Sequence, residues 1–167
     1  MKLVRARLGL VVMITASLLS VTANNALAQE PIAQGNSKQE MKQLNKEARK
    51  LGGTAEDTAN VLGRDVVFCI LAAHTTGVGT AQQLKDKFNS LTDFPFGQFV
   101  AAVLLADRID KPLNEIIAKL LDGMSIGQIT KEADVNMGDV RGHFGQFRSE
   151  LARSQTNPPT KDCFKTP

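Results

Sequence analysis

Two histidines, two cysteines and a scatter of carboxylates are the residues of this 167-residue chain whose types could carry chemistry. A zinc or catalytic centre would need His74 or His143 to sit beside carboxylates or cysteines at short, ligand-like spacings, and neither does. Position explains both instead. His74 closes an apolar helical segment, where a cation favours the C-terminal end of the dipole, and His143 lies beside the apolar stripe of the last helix. The stretch Thr75-Thr76-Gly77-Val78-Gly79-Thr80 has the glycines of a phosphate loop. It lacks the Gly-Lys-Ser/Thr ending and a preceding strand, and reads as a helix connection. No serine or threonine sits in a nucleophile elbow. The acids Glu56, Asp57, Asp65, Asp107, Glu115 and Glu132 fall at helix starts or on polar faces, as solvated charges and caps do. The expectation is a protein that is not an enzyme and that uses no cofactor and no metal.

Phe94, Phe96 and Phe99 are the one aromatic group with a second reading. Clustered around Pro95 at the start of a helix, they have the composition of an apolar groove for a small ligand or a partner helix. Core packing is the favoured reading and the groove the alternative, because a chain without Tyr or Trp must fill its large core volumes with Phe.

Cys69 lies in an apolar segment and Cys163 near the C-terminus. Their meaning depends on the compartment, which the N-terminus addresses. Lys2, Arg5 and Arg7 precede an apolar run over residues 8–21, and Ala26-Leu27-Ala28 follows as a small-x-small cleavage pattern. Residues 1–28 therefore read as a secretory signal cleaved between Ala28 and Gln29. The apolar run is shorter than the ~20 residues of a spanning helix and carries Thr15, Ser17 and Ser20. No cysteine near the cleavage point offers a lipid anchor. The mature chain is thus expected to be exported, to a periplasm or beyond the cell, without a stable membrane anchor. In that compartment two cysteines favour a Cys69–Cys163 disulfide that straps the tail, residues 154–167 with Pro158-Pro159, to the core.

Removal of the signal also changes the charge argument. It takes three basic residues and no acidic one, so 17 of the 20 basic residues remain against 17 acidic, a formal charge of zero. A neutral domain lacks the broad positive field that supplies most non-specific nucleic-acid affinity. Nucleic acid is therefore a disfavoured partner.

The elements that must position these residues are all helical. Residues 29–37 are polar and aperiodic and predict a flexible leader, with a helical domain over residues 38–153. Met41, Leu44, Ala48 and Leu51 recur at helical steps, and Gly52-Gly53 is expected to end that helix, with Thr54 capping the next. The second helix carries Ala59, Leu62, Val66, Cys69, Ile70 and Ala73, widened by Val67, Phe68 and Leu71, and is expected to be central. Thr80-Ala81-Gln82-Gln83 and Ser125-Ile126-Gly127-Gln128 fit capping boxes. Pro95 and Pro112 start helices, Gly123 ends one, and Val140, Phe144, Phe147 and Leu151 line one side of the last. No segment alternates with a two-residue period. The fold class is all-α, a small single-domain helical bundle ending in a helical hairpin.

In that hairpin, Ile129, Ala133, Val135, Val140 and Phe144 have the spacing of two short helices clasped around a turn. Residues 125–144 resemble the helix-turn-helix of response-regulator and quorum-sensing transcription activators. Three departures matter. Thr130 replaces a small alanine, Asp134 replaces the turn glycine, and Asp139 would face phosphate near the start of the recognition helix. The surface the resemblance singles out is Asn136, Met137, Arg141 and His143. Between residues 97 and 140 the layout also resembles small exported bacterial helical proteins of unknown function, on an alanine- and leucine-rich helix and on Gly123-Met124-Ser125-Ile126-Gly127-Gln128-Ile129. That resemblance implies architecture and compartment alone. The reading that follows is an exported, non-enzymatic module that binds a protein or envelope component through its C-terminal hairpin. A carrier of a small apolar ligand, held at the Phe94 to Phe99 segment, is the alternative, and nucleic-acid binding through the hairpin is a third.

Overall fold

A core-facing stripe and the Gly52-Gly53 pair shape the longest element of the chain. The computed structural model describes residues 30–158 and 161–164; the signal expected over residues 1–28, with its cleavage point at Ala28 and Gln29, lies outside them. Helix α1 runs over Glu30–Leu62, 33 residues and about 50 Å at 1.5 Å per residue. It therefore starts within the segment expected as a leader. Leu44, Ala48, Leu51, Ala55 and Ala59 form its buried stripe.

Gly52-Gly53 does not end α1, contrary to expectation. The reason is tertiary. Gly52 faces Gly97 of a crossing helix, and a Cβ on Gly97 would lie 2.6 Å from the Gly52 Cα. Glycine here permits backbone contact and outweighs the ~1 kcal/mol it costs in a helix interior. Thr54 accordingly does not cap a helix, and its hydroxyl donates to the Lys50 carbonyl within α1 at 3.1 Å. The break comes at Gly63, in the left-handed region at φ 91°, and helix α2 follows over Arg64–His74.

After α2, Thr80 and Gln83 form the expected capping box at the start of α3, Ala81–Asn89. Helix α4, Phe96–Ile109, is buried almost without interruption from Phe96 to Ala106, and it shares the centre of the bundle with α2. Asp110, at φ 52°, ends α4. Helix α5, Leu113–Leu121, starts after Pro112 and stops before Gly123 at φ 86°. Ser125 and Gln128 form the second capping box, opening α6, Ile126–Glu132. Asp134 takes the left-handed turn at φ 54°, and Asn136 caps α7, Met137–Ser154, by accepting from the Gly138 and Asp139 amides.

These seven helices, with no strand among the described residues, pack as one bundle. Helix α1 lies chiefly against α7 and α4, and also against α2 and α6; α3 covers α2, while α5 bridges α4 and α6. Cys69 and Cys163 are disulfide-bonded, their Cα atoms 5.7 Å apart. A 3-10 turn over Lys161–Phe164 is thereby held against α2 and α3, with Phe164 packed on the core.

Candidate functional site

The histidines that looked remote in sequence meet in the structure. His74, at the end of α2, and His143, on α7, have ring centroids 4.9 Å apart, tilted by 35°. Each faces a carboxylate. His74 Nδ1 is 2.8 Å from Glu150 Oε2. His143 Nε2 is 3.5 Å from Asp107 Oδ2, longer than a hydrogen bond of this type. Asp107 is fixed from its other side by the Thr76 amide, which donates to Oδ1 at 2.7 Å. The edge of Phe147 closes the cluster beside His74, with centroids 5.1 Å apart.

Burial holds the pKa of His143 below the ordinary imidazole value, and the charge of His74 pushes in the same direction. Asp107 opposes them, while Arg108 adds to the lowering. The Nε2 atoms of both rings are buried and accept or donate no hydrogen bond among the described residues. An imidazole that abstracts a proton from a substrate needs its nitrogen within reach of that substrate, and these two face the interior. Among the described residues no three His, Cys, Asp or Glu side chains are arranged to hold a metal ion. The cluster is a junction between α2, α4 and α7. Nothing in the sequence pointed to it, since the two residues sit on separate helices with unrelated local patterns.

Of the hairpin residues singled out in sequence, Asn136 and Arg141 are exposed, while Met137 and His143 are partly buried. Asn136 is spent on the α7 cap, and Met137 packs partly against the core. His143 turns inward to His74. Arg141 remains exposed and donates from Nη1 to Gln43 Oε1 of α1, while Asp139 pairs with Arg108 at 3.2 Å.

Phe94, Phe96 and Phe99 do not line a groove either. All three are buried. Phe96 and Phe99 pack with Phe68 and Phe88, and the Phe88 centroid lies 5.2 Å from that of Phe96 and 5.3 Å from that of Phe99. Arg64 covers the cluster, its guanidinium 5.2 Å from the Phe96 centroid. The space reserved for an apolar ligand is filled by the chain's own rings, because mutually edge-on phenyl groups are worth more than an empty pocket.

An open recess lies on the opposite side of α4. Where α1 crosses α4 at Gly52 and Gly97, the backbones meet and the side chains above them stop short. A cleft of about 460 Å³ results, its walls completed by the turn between α5 and α6. Ala48, Ala101, Leu120 and Ile126 supply apolar surface; Arg49 and Gln98 stand among its polar groups. Two other polar side chains of α1 are already committed. Glu56 Oε1 accepts from the Gly97 amide at 3.0 Å, and Asn45 Oδ1 accepts from the Gly127 amide at 2.8 Å. Each satisfies an amide at the start of a helix that has no intrahelical partner. Gly127 is close-packed as well: a Cβ there would lie 3.1 Å from Met41, so α1 would have to give by a few tenths of an ångström. The size is that of ordinary binding pockets.

Compared with family models, with curated proteins and with solved structures, the chain matches none.

Proposed function

We propose that this chain is an exported, non-enzymatic helical module that binds a protein or another component of the cell envelope. The observation that carries the binding half is the cleft between α1, α4 and the α5–α6 turn, which combines an apolar floor with a charged and polar rim and is held open by a glycine-to-glycine helix crossing. The buried nitrogens of the histidine pair, the chain's main titratable cluster, support a binding role over catalysis. The export half rests on the signal-like residues 1–28 and on the use of both cysteines in a disulfide, which persists in oxidising compartments.

Pull-down with the mature protein from envelope extract of its source cell tests this reading. The same component is expected with the native chain and not with Gln98→Trp, which fills the cleft from a partly exposed position. Equal recovery by both proteins, or no reproducible component with the native one, contradicts it.

A further inference from the structure

Resting on that reading, we infer that the occupant of the cleft is an acidic segment of a partner protein, guided by a basic ridge along α1 and anchored by apolar side chains in the recess. The ridge follows from register. Lys38, Lys42, Asn45 and Arg49 stand at i, i+4, i+7 and i+11, so they form one stripe on α1, and Lys46 lies beside it. From Lys38 to Arg49 the stripe spans about 17 Å at 1.5 Å per residue. The four basic side chains are exposed, and no carboxylate of the described residues pairs with any of them.

The acids of the same stretch are turned elsewhere. Glu40 and Glu47 lie about half a turn or more from Lys38 around the helix. Glu47 pairs with Arg148 of α7 and with Lys50. Further along, Glu56 lines the cleft itself, and its carboxylate accepts from the α4 amide at Gly97. A chain that is neutral in total after loss of its signal thus presents a local positive edge whose basic side chains have no ion-pair partner among the described residues. Arg49 belongs both to that edge and to the cleft.

This geometry favours a peptide over other polyanions. Positive charge alone suits nucleic acid, an anionic lipid surface or an acidic protein equally. The apolar recess beside the ridge separates them, because a bilayer surface or a duplex cannot enter it, whereas one or two Leu-sized side chains can. Such a segment would place carboxylates on the ridge and apolar side chains against Ala48, Ala101, Leu120 and Ile126. Charge would then govern encounter and register, and the buried anchors the lifetime of the complex.

The test uses the mature full chain and a synthetic helical peptide of about 14 residues, long enough to span the ridge, with Glu along one face and Leu beside it. Its counterpart carries Lys in place of Glu. Fluorescence anisotropy should show binding of the acidic peptide alone, weakened about tenfold or more by Lys42→Glu with Arg49→Glu, and weakened again by raised salt. Gln98→Trp should abolish peptide binding while leaving any heparin binding unchanged. Thermal melts of each variant establish that it is folded. Equal binding of both peptides, indifference to Gln98→Trp, or tighter binding of duplex DNA or anionic vesicles than of the acidic peptide overturns the inference. The two readings separate cleanly: if the charge-reversed variant recovers the envelope component as well as the native chain does, the binding function stands and the acidic-segment inference falls.

Discussion

Gly52 of α1 and Gly97 of α4 are in backbone contact, and the contact is asymmetric. A Cβ on Gly97 would meet the Gly52 Cα and carbonyl oxygen at 2.6 Å, whereas a Cβ on Gly52 would meet Gly97 atoms at 3.3 Å or beyond. The α4 position has no room, and the obstruction is backbone that cannot rotate away.

Gly97→Ala is therefore expected to force the helices apart and to cost about 1–3 kcal/mol, as overpacking does. Gly52→Ala should come close to neutral, because a tight contact is offset by the ~1 kcal/mol gained in helix propensity. Urea unfolding of the two variants measures the difference. Equal destabilisation would mean that the crossing is looser than described.

Removing a polar cap between helices gives a second expectation. Asn45 reaches from α1 to the Gly127 amide of α6 at 2.8 Å. Asn45→Ala leaves that amide without its partner and should lower stability by about 1 kcal/mol, in line with the loss of a helix cap. The same urea midpoint reports it, and no change would assign the amide another acceptor.

What could be read in advance was what local chemistry decides. The capping boxes at Thr80 and Ser125, the stop at Gly123 and the left-handed turn at Asp134 each depend on a few adjacent residues, and each formed. The error concerns a residue whose partner is distant. Gly52-Gly53 has the composition of a helix stop, but Gly52 is explained by Gly97, and nothing near either position says so. Phe94, Phe96 and Phe99 lie in the core, as composition favoured, although the Phe68 and Phe88 rings that face them could not be named in advance. The Lys38, Lys42 and Arg49 stripe was visible as spacing, yet counting total charge cancelled it.

The histidine junction makes stability depend on pH, and the sign follows from His143. Its folded-state pKa is lowered from 6.5, first by burial and then by His74. The unfolded chain therefore binds the proton at a higher pH than the folded one. The contribution is complete above about pH 6.5 and is lost as pH falls through the lower folded-state value. Asp107, Arg108 and Glu150 are the other charges around the pair. Urea midpoints taken at about pH 7.5 and pH 5 should differ more for the native chain than for His143→Gln. Identical differences would remove His143 from the account.

The disulfide closes a loop across a sequence separation of 94 residues and holds the 3-10 turn of Cys163 against α2. Loop-closure entropy sets its contribution at about 4.7 kcal/mol before native-state strain is subtracted, so Cys163→Ser should cost about 2–4 kcal/mol. Thermal unfolding with and without reductant measures it. A Cys163→Ser variant that melts with the native protein would show that the bond contributes nothing to stability.

The proposed function places the meeting with a partner at the cleft beside the Gly52 and Gly97 crossing. Site-specific photo-crosslinking in the source cell tests this most directly, with the crosslinker placed in turn at Gly53, on the exposed rim of the cleft where an added side chain meets nothing within 4 Å, and at Arg141, on the exposed side of α7. A discrete adduct is expected from Gly53 and none from Arg141. An adduct from Arg141 alone would contradict it and return the function to the C-terminal hairpin.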